Sequence, residues 1–112
     1  MIKKSRKIAA VITAITGDRV VVGELEFLHA VEEHFEFIPR DVVLEILERV
    51  LRDPVAVFEE EAAHLFHVFY KVDRNKYLVV IVKRADTGNF FATMYPTGSQ
   101  IRAKHKKLRR VR

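Results

Sequence analysis

The 112-residue chain has no cysteine. Disulfide staples, zinc knuckles and thiol nucleophiles are therefore excluded, while the redox compartment stays undetermined. It also lacks a Gly-rich phosphate loop and a serine nucleophile elbow, since Gly98-Ser99 has none of the flanking glycines that such turns need. Long hydrophobic runs are missing too. The longest elsewhere than the start, YLVVIV at 77–82, is far short of the roughly 20 residues that span a bilayer. The start itself, MIKKSRKIAAVITAITGDRVVV, has the outline of a signal peptide. Its apolar run, however, is short, is broken by Thr13 and Thr16, and leads into Gly17-Asp18 without a small-residue cleavage site. A first strand is the better reading, and a soluble, cytoplasmic protein with no membrane contact is expected.

What is present suits one domain over residues 1–112, with a hydrophobic fraction of 49% and 10% aromatics to build a small core. The net charge of +5 hides a division: residues 1–23 carry +4, residues 24–61 carry −9 and residues 62–112 carry +10. The C-terminal half should attract polyanions and the central segment repel them.

Ile8 to Ile15 is rich in β-branched residues and ends at a Gly17-Asp18 turn before RVVV (19–22) resumes the β pattern, so a short hairpin or bent strand opens the chain. Leu25, Leu28, Val31 and Phe35 recur at helical spacing and predict a first helix from Glu24 to about Phe35. Val42, Val43, Ile46, Leu47, Val50 and Leu51 predict a second, from about Arg40 to Arg52, begun by Pro39 and stopped at Asp53-Pro54. Strands are expected at 55–59, 64–72, 76–84 and 90–95. The pattern argues for an α+β fold, with the two N-terminal helices packed on one face of a twisted antiparallel β-meander and the other face free for a ligand. The tail from 102 to 112 holds seven Lys/Arg and is expected to be mobile at its end unless something anionic orders it.

The first predicted helix carries FLHAVEEHF, with His29 and His34 five residues apart. On a helix that separation turns side chains about 140° from each other, so the two cannot share a metal ion. His64, His67 and His105 show no ligand spacing either, and no metal or cofactor is expected. On residue chemistry alone each flanking imidazole reads first as a partly buried, hydrogen-bonded bystander. Glu59-Glu60-Glu61 reads as a solvated turn.

In context, GDRVVVGELEFLHAVEEHF, PRDVVLEILERVLRDPVAVF, KYLVVIVKR and FFATMY together resemble the phage-associated branch of the barnase, EndoU, colicin and RelE-like nucleases. The match lies in the histidine pair His29 and His34, the helix exit at Asp53-Pro54, and a last strand with Thr93 and Tyr95, over about residues 17–97. One position departs: Phe35 stands where the family often has proline, which leaves the helix free to run on past His34.

The resemblance implies a metal-independent ribonuclease in which the 2′-hydroxyl attacks the neighbouring phosphorus and leaves a 2′,3′-cyclic phosphate. It further implies a toxin of a phage or toxin–antitoxin system, partnered by RNA and by an acidic antitoxin or immunity protein. His29 and then His34 would be the acid–base candidates, since imidazole transfers protons near neutral pH. Lys83 would neutralise phosphate, and Thr93 and Tyr95 would orient it. Arg84, Arg102, Lys104, Lys106, Lys107, Arg109 and Arg110 are the RNA-binding candidates. The bland reading is a solvated strand end at Lys83-Arg84 and ordinary β-propensity at Thr93 and Tyr95. The rival functions are a non-catalytic nucleic-acid-binding module and a protein-interaction domain that works through its acidic helices.

Overall fold

The computed structural model describes residues 7–98 and 109–112. β1 (Ile8–Thr13) and β2 (Arg19–Gly23) form an antiparallel hairpin with Val11 opposite Val21. Its turn needs Gly17, whose φ of 91° side chains rarely adopt. There the Thr16 hydroxyl donates to the Asp18 carboxylate at 2.8 Å. α1 (Glu24–His34) follows β2 without a linker. Helix α2 (Arg40–Arg52) starts after extended Pro39 and stops at Asp53. Then come β3 (Ala56–Glu60), a 3-10 turn (Glu61–Ala63), β4 (Leu65–Asp73), β5 (Lys76–Ala85) and β6 (Gly88–Thr97). A two-residue β7 (Arg109–Arg110) pairs with β3.

The expected order of two N-terminal helices on an antiparallel meander is overturned. Among the described residues two strands precede the helices, and the sheet is mixed, with seven strands in the order β1-β2-β6-β5-β4-β3-β7. The meander β3–β6 is antiparallel, but β2 joins β6 in parallel, with Val20 beside Asn89 and Val21 beside Phe90. The physical reason is the helix pair, which carries the chain from one edge of the sheet to the other before the meander returns it to β2. The basic tail also differs from expectation where it is described: residues 109–112 lie on β3, where Val111 N–H donates to the Val57 carbonyl at 2.8 Å and Val57 N–H to that of Arg112 at 3.0 Å.

One face of the sheet is covered. Val57, Val68, Val80, Val82, Phe91 and Met94 meet Phe27, Ala30, Val31 and Phe35 of the α1 region and Val43, Leu47, Val50 and Leu51 of α2. Leu25, which the periodicity places on the stripe of α1, is instead 77% exposed, and Phe27 and Ala30 take the buried side. α1 stops at His34 despite the missing proline. Phe35 leaves helical geometry (φ −138°, ψ 33°) while its side chain is buried in the core, and its N–H still caps the Val31 carbonyl.

No helix among the described residues covers the other face, yet its central apolar side chains are buried. Phe69, Val79 and Ile81 form a second apolar patch there, ringed by Phe58, Leu65, Tyr77, Ala92 and Tyr95.

Candidate active site where α1 meets β6

Because β2 pairs with β6 over only two residues before the chain turns into α1, the helix lies along the rest of β6. Its last residue thereby reaches Tyr95, on the face of the second apolar patch. The His34 and Tyr95 rings stand 6.2 Å apart, centroid to centroid, tilted by 48°. Tyr95 lies opposite Val79 and Thr93 opposite Ile81, so both hydroxyl residues share the face of the apolar patch. Register slips just beyond Thr93: Ile81 pairs with Thr93 but Val82 with Phe91, leaving Ala92 as the extra residue of a bulge. Lys83, two residues beyond Ile81, projects from the same face and is exposed. Burial raises the Tyr95 pKa above its usual 10.0, so the phenol is a neutral hydrogen-bond donor throughout the physiological range.

Of the five residues assigned catalytic roles from the sequence, His34 and Tyr95 are brought together, while Thr93 and Lys83 lie on the same sheet face, Lys83 four residues along β5 from the partner of Tyr95. His29 stands one turn back, with its side chain 68% exposed, and its Nε2 is 3.5 Å from Glu33 Oε1. The same Glu33 oxygen is 3.8 Å from His34 Nε2, so one carboxylate faces both imidazoles. Glu33 went unnoticed in the sequence, although an i, i+4 spacing from His29 was its signal.

The RNA-binding candidates divide. Arg84 and Arg109 both bond Glu59, each at 2.5 Å, and Arg84 also lies 5.7 Å from the centre of the Phe66 ring. Glu59 is 7% exposed, which corrects the reading of Glu59-Glu60-Glu61 as a solvated turn: only Glu61 belongs to the turn. Glu60 accepts from or is paired with His67, whose Nε2 is 3.0 Å from its Oε1. Arg110 reaches the Val55 and Arg112 carbonyls. Arg102, Lys104, Lys106 and Lys107 lie outside the described residues.

Among the described residues, no group of three or more His, Asp or Glu is placed to hold a metal ion, and no helix is long and apolar enough to cross a membrane. An imidazole beside a neutral phenol, with a hydroxyl and an ammonium on the same sheet face, are groups that phosphodiester chemistry can use. The class they define is nuclease-like. Comparison of the sequence with family models agrees: residues 1–112 match the model of the phage-Barnase-EndoU-ColicinE5/D-RelE like nuclease2 family, and the chain belongs to that family. No curated protein and no solved structure matches the chain.

Proposed function

We propose that the chain is a metal-independent endoribonuclease working where the end of α1 meets β6. The observation that carries this reading is the meeting of His34 with Tyr95, on the face shared by Thr93 and Lys83. In this reaction the 2′-hydroxyl loses its proton as its oxygen bonds to phosphorus, the bond to the 5′-oxygen breaks, and that oxygen takes up a proton. The products are a 2′,3′-cyclic phosphate and a free 5′-hydroxyl. His34 moves one of the two protons, while Lys83 and the Tyr95 hydroxyl stabilise the charge that gathers on the non-bridging oxygens. Thr93 orients the phosphate. His29, exposed beside Glu33, contacts the RNA at the rim. Support for RNA as substrate comes from the +10 charge of residues 62–112. If the chain serves as a toxin, that same charge calls for an acidic antitoxin or immunity protein.

A purely binding role is less well supported, because Arg84 and Arg109 already satisfy Glu59. The test is to incubate purified protein with total RNA in EDTA and analyse the fragment ends. Cyclic phosphates and 5′-hydroxyls are expected. Intact RNA, or fragments bearing 5′-phosphates, would overturn the reading.

A further inference from the structure

The two edges of the sheet differ. At one, β7 consists of two arginines, and Glu59 ties Arg109 to Arg84 of β5. A strand so short and charged discourages further pairing. At the other, β1 carries neither a charge nor a proline over Ile8–Thr13, and among the described residues nothing pairs with its outer side. Its one irregularity lies at the start, between Ile8 and Ala10, and the register with β2 is regular from Ala10 to Thr13.

The backbone of β1 offers partners outward. Ala14 N–H donates to the Asp18 carbonyl at 2.8 Å, which makes these facing residues a hydrogen-bonded pair. Such pairs alternate along an antiparallel ladder, so Ile12–Val20 is the next, and Val11–Val21 and Thr13–Arg19 fall between. The N–H and C=O groups of Val11 and Thr13 therefore point away from β2. Apolar side chains stand beside them, with Val11 44% exposed and Ile8 57%.

Donors and acceptors that alternate at strand spacing are matched by another strand. RNA phosphates offer only acceptors, which the outward carbonyls repel. The sequence around this edge is basic: over residues 1–26, Lys3, Lys4, Arg6, Lys7 and Arg19 stand against Asp18, Glu24 and Glu26, a net +2. A second copy would bring the same sign to the same edge, and six residues of strand bury little of what a stable dimer needs. A strand flanked by carboxylates gains where a second copy loses. We infer that the outer edge of β1 takes an extended acidic segment of another protein as an added strand, its main chain on Val11 and Thr13 and its carboxylates toward Lys7 and the basic residues that precede it in sequence. This inference is independent of the ribonuclease reading, since β2 lies between β1 and β6.

The probe for the test is a fluorescein-labelled peptide of three Thr-Val repeats followed by four glutamates. It is titrated into the full chain by fluorescence anisotropy, and amide hydrogen exchange of the complex is read by NMR. Saturable binding is expected. At a peptide concentration about ten times Kd, exchange should slow about tenfold at the Val11 and Thr13 amides and stay unchanged at Ile12, whose N–H faces β2. Lysines in place of the glutamates should weaken binding about tenfold. Val11→Pro, which removes one outward donor and leaves β1 its bonds to β2, should weaken it to a similar extent, about tenfold. No binding overturns the inference. Binding without protection at Val11 and Thr13 overturns it too, because the basic residues alone would then be catching the glutamates. Protection of the same amides without peptide, together with a dimer by sedimentation, overturns it in favour of a second copy. Protection by single-stranded RNA and not by the peptide overturns it in favour of RNA. Should Val11→Pro fail to fold, the wild-type exchange pattern and the lysine peptide decide. Cleavage of RNA in EDTA is scored separately: its failure sinks the ribonuclease reading and leaves this inference standing.

Discussion

The Tyr95 phenol stays neutral to higher pH than a free tyrosine because its burial penalises the phenolate. The folded pKa lies above the unfolded value of 10.0, so the folded state binds more protons once the unfolded phenol begins to ionise. The associated stability is fully present below about pH 10 and is lost as pH rises through the folded pKa. Tyr95→Phe should remove this part of the alkaline decline in urea-denaturation free energy, and a wild-type slope in the variant would show that another group causes it. The same substitution deletes one donor to the phosphoryl oxygens and should slow RNA cleavage on the order of 100-fold. The histidines of α1 separate by the same logic of placement. His34→Ala should abolish most turnover with the fold intact, whereas His29, 68% exposed, should tolerate alanine with a loss under about tenfold. Equal losses would return His29 to the chemical step.

Among the elements, the edge β3–β7 depends on Glu59. Its carboxylate is 8% exposed and joins Arg84 of β5 to Arg109 of β7, closing the tail onto the sheet. Glu59→Gln should lower unfolding free energy by about 1–3 kcal/mol, the scale of charge-assisted hydrogen bonds. The side chains of both arginines are half exposed or more and can return to water, which favours the lower end. Hydrogen exchange would show the effect first at the Val111 amide, which β3 holds; unchanged protection there would remove Glu59 from the clasp. Neither Glu59 nor Glu60 was legible as more than a charged turn, because their partners Arg84, Arg109 and His67 come from other strands. Local alternation marks a strand but not its neighbours. For that reason the helices and β1–β6 could be read from the sequence to within a few residues, while the parallel seam of Val20 and Val21 with β6 could not. The apolar run of β5 was plain, and Thr93 and Tyr95 fell on one face by simple alternation. What no periodicity announces is that α1 flanks the same edge, bringing His34 to Tyr95.

At the scale of the molecule, charge is partitioned: −9 over residues 24–61, which include both helices, and +10 over residues 62–112. Of that +10, residues 62–101 carry +3 and residues 102–112 carry +7, so a polyanion is drawn chiefly by the tail, with a smaller contribution from β4–β6, and is repelled by the acidic helices. Arg84 and Arg109 are held by Glu59, so the screening cations for RNA should come chiefly from Lys83 and from Lys104, Lys106 and Lys107 of the tail. Each phosphate neutralised releases condensed counterions, and log affinity then falls with log salt by about 0.7 per contact on single strands. Replacing Lys104, Lys106 and Lys107 together by glutamine leaves β7 untouched, unlike truncation of the tail, which would also remove Arg109 and Arg110 from the edge of β3. The triple variant should bind single-stranded RNA with a salt slope shallower by up to about 2, with sequence preference and the position of cleavage unchanged. A fluorescence-anisotropy titration at several salt concentrations measures the slope. An unchanged slope would place the RNA backbone away from the tail and along Lys83 and the strand edges alone, whereas a changed cleavage position would mean that the tail reads bases as well as phosphates.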